Sequence, residues 1–103
     1  VGPSSMGAHD EWAPTPRVSA FYGMVILFLY NGDRHTGRPH FHVDFDGRRV
    51  SYDIETLKPL GGRLPRRPHR LVTRWARLHR EELLDNWQRA RAKEDLVPID
   101  PLP

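Results

Sequence analysis

His40 and His42 stand one residue apart in the segment RPHFHVDFDGRRVSYDI, Arg38 to Ile54. On a β-strand such a pair shares one face, because successive side chains point to opposite sides. Two imidazoles side by side can chelate a divalent transition metal such as zinc, copper, nickel or iron. A third ligand would come from Asp53 across the hairpin or from His35 in the preceding loop, so the candidate metal set is His35, His40 and His42. The same residues also suit acid–base chemistry without a metal. One histidine would take the proton from an RNA 2′-hydroxyl and the other would protonate the leaving oxygen, with Asp53 beside them and Arg38 or Arg49 on the phosphate. The candidate catalytic set is His40, His42 and Asp53. The plain alternative is a polar, solvent-facing sheet surface in which His40 and Asp53 are a simple cross-strand pair.

A second constellation lies further along the chain. From Arg63 to Arg80 there are seven arginines and no acidic residue. Arg66, Arg70, Arg74 and Arg77 fall on one side of a helix, where planar guanidiniums can bind phosphates in a salt-dependent way. That makes them the candidate nucleic-acid contacts. No aromatic residue interleaves with them, so single-strand stacking has no platform there. The plain alternative is a solvated face, partly neutralised by neighbouring-turn pairs such as Arg77–Glu81.

The elements that would position these groups follow from periodicity. His40, His42 and Asp44 alternate with Phe41, Val43 and Phe45, which predicts a strand with one apolar face. Asp46-Gly47 is a strong signal for a two-residue hairpin turn. That turn sets Phe45 opposite Arg48, Val43 opposite Val50 and Phe41 opposite Tyr52. On the other face Asp44 meets Arg49, His42 meets Ser51 and His40 meets Asp53. Upstream, FYGMVILFLY, Phe21 to Tyr30, reads as one buried strand. Downstream, Pro65 suits a first helical position. Val72, Trp75, His79, Leu83 and Trp87 then recur at three- and four-residue spacing, as one long amphipathic helix would place them. The expected fold is therefore α+β: a small antiparallel sheet of three to four strands packed on one long C-terminal helix. The helix should cover the face of Phe41, Val43, Val50 and Tyr52, leaving His40, His42 and Asp53 towards solvent or a partner. Trp75 and Trp87 read as core, and His79 as a buried, hydrogen-bonded core histidine.

The whole chain sets outer bounds. Its 103 residues are enough for one domain with an adequate core, and its net charge of +3 is modestly basic. Mean hydropathy is −0.65, and the longest apolar run, Met24 to Tyr30, is far too short to span a bilayer. The absence of cysteine excludes disulfides, cysteine zinc sites and thiol catalysis, and suits a reducing, cytoplasmic setting. VGPSSMGAHDEW reads as an expression remnant with a native start near Met6. Residues 1–16 are expected to form a disordered arm, 17–95 the domain and 96–103 an extended proline-rich tail.

Three ordered stretches, RPHFHV, DIETLKPLGGRLPRRPHRLV and WARLHREELLDNW, resemble the bacterial family known as domain of unknown function 4160. The resemblance runs from about Val18 to near Arg91. It implies a small prokaryotic protein encoded beside another small protein, its expected partner, and a candidate for regulatory or toxin–antitoxin roles. The expected function is accordingly partner binding, with nucleic acid as a further partner through the arginine face and no membrane association. The alternative is an enzyme, a histidine-dependent ribonuclease or a metal-assisted hydrolase.

Overall fold

The alternation around His40 forms the central strand of a five-stranded antiparallel meander in a computed structural model, which describes residues 16–30 and 37–103. The strands are β1 (Arg17–Phe21), β2 (Met24–Leu27), β3 (His40–Phe45), β4 (Arg48–Asp53) and β5 (Pro59–Gly61), hydrogen-bonded in sequence order. Two helices follow, α1 (Arg66–Leu78) and α2 (Arg80–Arg91). The expected β3–β4 register holds at every pair, from Phe45 opposite Arg48 to His40 opposite Asp53. Its turn has positive φ at both Asp46 (49°) and Gly47 (78°), as a type I′ turn requires.

The single strand expected over Phe21 to Tyr30 is instead a hairpin. Tyr22 (φ 50°) and Gly23 (φ 79°) make a second two-residue turn between β1 and β2, which brings the sheet to five strands. A bulky tyrosine at positive φ is uncommon. Here the Tyr22 hydroxyl donates to the Pro103 carbonyl (2.8 Å) and the ring meets Phe21 edge-on.

The one long helix is two. His79 leaves helical geometry (φ −120°, ψ 26°), ending α1 and preceding α2. The break lets each half follow its own tryptophan. Trp75 of α1 packs on Phe21 and Phe41, with ring centroids 5.0 and 6.2 Å apart, whereas Trp87 of α2 packs 4.8 Å from His40. Phe41 and His40 are consecutive strand residues, so their side chains leave opposite faces. Thus α1 covers the apolar face as expected, and α2 reaches the histidine face. His79 is not a central core residue. It is partly exposed at the junction, its ring against Trp75 and its Nδ1 paired with the Glu82 carboxylate (2.5 Å).

Residues 96–103 are extended but held along the domain. Asn86, fully buried, pairs both ways with the Val97 backbone (2.7 and 2.8 Å), and the Ile99 amide donates to the Val18 carbonyl of edge strand β1 (2.8 Å). The buried Trp75 indole N–H finds its acceptor in the Asp100 carbonyl (2.8 Å). Nearly all of the arm expected over 1–16 lies outside the described residues; the Pro16 carbonyl accepts from the Phe28 amide (2.9 Å).

Candidate functional site

β3 and β4 bring His40, His42 and Asp53 together, but inside the protein. Their exposures are 1%, 5% and 1%, so the expectation of a face open to solvent or a partner is overturned. The cause is α2, which turns at His79 and lays Trp87 over His40. The His40 and His42 rings are 5.2 Å apart, edge to face. Each has a specific neighbour. The His40 Nδ1–H donates to the Arg38 carbonyl (2.5 Å), which fixes the proton on that nitrogen, and His42 Nδ1 shares a hydrogen bond with the Ser51 hydroxyl (3.0 Å).

Asp53 is committed on both oxygens. Oδ1 accepts from the Glu55 and Thr56 amides (2.7 and 3.1 Å) and so shapes the turn into β5; Oδ2 is paired with the Arg38 guanidinium. Burial pushes this carboxyl up, but the hydrogen bonds from Arg38, Thr56 and Glu55 together outweigh it and hold it below the usual carboxylate range. Arg38 therefore ties the set together, its side chain on Asp53 and its carbonyl on His40. His35 lies outside the described residues, and among those described no group of three histidine or carboxylate side chains is placed to hold a metal ion.

The arginine face has the opposite character. Arg66, Arg67, Arg70, Arg74 and Arg77 are all exposed on α1, and among the described residues none is paired with a carboxylate. The expected Arg77–Glu81 pair does not form. The helix breaks between the two, and Glu82 is engaged by His79. Arg80, at the end of the same run, is structural: its Nε donates to the Ile54 carbonyl (3.0 Å) and locks α2 to the end of β4.

Sequence reasoning passed over several residues. Arg38 was expected near the histidines as a phosphate ligand, not as the partner of Asp53 and His40. His69 packs against Tyr52, whose hydroxyl lies 2.8 Å from its Nδ1; its spacing three before Val72 and seven before Ala76 places it beside the buried stripe. Asn86 gave no periodic signal, being a polar residue at a core position.

A five-stranded meander backed by two helices, with a buried histidine pair and an exposed arginine row, defines a small α+β domain whose open chemistry is cationic. The family model for a domain of unknown function, DUF4160, matches residues 23–88, and the chain belongs to that family. The match takes in both histidines, Asp53 and the whole of α1. No curated protein and no solved structure matches the chain.

Proposed function

We propose that this chain is a binding module that acts through the arginine face of α1 on a polyanionic partner, in the regulatory or toxin–antitoxin-type setting its resemblance suggests. The observation that carries the reading is the row of exposed guanidiniums with no carboxylate paired to them among the described residues. Arg66, Arg70 and Arg74 repeat at four-residue spacing, and like charges so placed cost a helix roughly 0.2–0.5 kcal/mol per pair. An external anion lying along the face would relieve that repulsion. A cytoplasmic setting, with a small companion protein encoded nearby, belongs to the same reading. The enzyme alternative has less support, because His40, His42 and Asp53 are buried and engaged with neighbouring groups.

Heparin chromatography tests the reading. Arg70→Glu/Arg74→Glu should elute at clearly lower salt than the parent. Arg17→Glu/Lys93→Glu, with the same change in net charge on other surfaces, should elute close to it. Equal shifts in the two variants would reduce the face to bulk charge and remove the proposal.

A further inference from the structure

The arginine row begins in a groove. β5 ends at Gly61, and Gly62 turns the chain at φ +81°, where a side chain would be strained and its Cβ would stand 3.3 Å from Val50 Cγ2. Arg48 Nη1 donates to the Arg63 carbonyl (3.1 Å) and braces the next step, while Leu64 is buried as a plug. Pro65 then leads into α1. These turns border an open, shallow groove of about 480 Å³ lined by Pro59, Arg63, Leu64, Pro65, Arg66 and His69.

Its charged groups are guanidiniums. Arg63 and Arg66 are exposed, and neither guanidinium is bound to an acceptor among the described residues. The third polar group is His69, held by Tyr52. Its Nδ1 shares a hydrogen bond with the Tyr52 hydroxyl (2.8 Å), which anchors the imidazole at the groove. Two guanidiniums and an imidazole, with no carboxylate in the lining, suit a tetrahedral oxyanion with several acceptor oxygens. Pro59, Pro65 and Leu64 add an apolar wall against which a sugar or base can rest. Beyond the groove, Arg70 and Arg74 follow at successive turns, about 6 Å apart along the axis, in line for further anionic groups of the same chain.

We propose that this groove binds a backbone phosphate of a nucleic-acid strand, held by Arg63, Arg66 and His69, with the strand continuing along α1. The assignment rests on the polyanion reading above and narrows it to phosphodiesters. An acidic protein surface is the less favoured occupant. Leu78 is the one large apolar side chain exposed on α1 among the described residues, and Tyr22 and Val97 lie on other elements, so the face has too little apolar surface for the centre of a protein–protein interface.

Fluorescence anisotropy with labelled single-stranded RNA, and with DNA of the same sequence, tests this across a salt series. Arg63→Ala/Arg66→Ala should weaken binding about tenfold or more at low salt and flatten the slope of log K against log salt by about 0.7 for each lost contact. Binding of either strand supports the assignment, and the difference between them reports the sugar. Unlabelled polyglutamate should compete poorly. If Arg63→Ala/Arg66→Ala binds as the parent does while Arg70→Glu/Arg74→Glu does not, the groove is wrong and the arginine face survives. Retention on heparin with no binding of either strand, or displacement by polyglutamate as effective as by unlabelled RNA, overturns the phosphodiester assignment alone. Loss of both heparin and oligonucleotide binding by the parent removes both proposals.

Discussion

The sheet's histidine face and the helix's arginine face are both built from residues that can do chemistry, and the fold treats them in opposite ways. His40, His42 and Asp53 are buried and held by Arg38, Ser51 and the turn after β4. Arg66, Arg70, Arg74 and Arg77 are exposed and lack carboxylate partners among the described residues. Buried polar groups with satisfied hydrogen bonds are costly to disturb, whereas exposed ones are not. The contrast separates residues that hold the fold from residues left available to something outside it.

Substitutions can break that contrast in a graded way. The largest effect on stability is expected from His40→Ala, which removes a fully buried ring from under Trp87 and should cost about 2–4 kcal/mol in urea unfolding. Next comes Asp53→Asn, at about 1–3 kcal/mol, since one oxygen's worth of charge-assisted acceptance from Arg38 is lost. It should also change the acid limb. A carboxyl held below its ordinary pKa contributes stability that is present above the unfolded value, about 3.9, and disappears as pH falls through the folded one. The parent should therefore lose stability on acidification from neutral pH more steeply than Asp53→Asn, as unfolding midpoints measured across that range would report.

A smaller effect is expected at Asp44–Arg49, on the outer end of the same sheet face. Arg49 holds the Asp44 carboxyl low through two hydrogen bonds (2.7 and 3.0 Å), but both side chains are more than a third exposed. Arg49→Ala should cost no more than about 1 kcal/mol. The smallest effect belongs to the arginine face. Arg70→Glu/Arg74→Glu should leave the unfolding midpoint within about 0.5 kcal/mol of the parent, because the pair at 66 and 70 becomes opposite in sign while the pair at 70 and 74 stays alike.

Much of the sheet was legible because Asp46-Gly47 fixes a register and the alternation around it leaves no second choice. The hairpin at Tyr22-Gly23 was not, since tyrosine rarely accepts positive φ and FYGMVIL reads as continuous hydrophobicity. The helix break was hidden for a similar reason: the apolar stripe runs through His79 without Pro or Gly. A charge signal was there, however, with Arg77 ending one helix and Glu81 and Glu82 opening the next, as the helix dipole favours. That break decided the site. Once α2 could turn independently, Trp87 could cover a strand face whose composition alone had suggested exposure. The tail shows the same limit, because its hold on the domain depends on Asn86 and Trp75 finding backbone partners far away in sequence.

The most direct test sets the two faces against each other in one experiment. Affinity for the labelled RNA strand is measured at one salt concentration for His40→Gln/His42→Gln and for Arg70→Glu/Arg74→Glu, with unfolding midpoints for both. The histidine variant should lose stability yet, where folded, bind within about twofold of the parent; the arginine variant should keep its stability and lose about tenfold or more in affinity. A folded histidine variant that no longer binds, beside an arginine variant that binds normally, would contradict the account and return function to the histidine face.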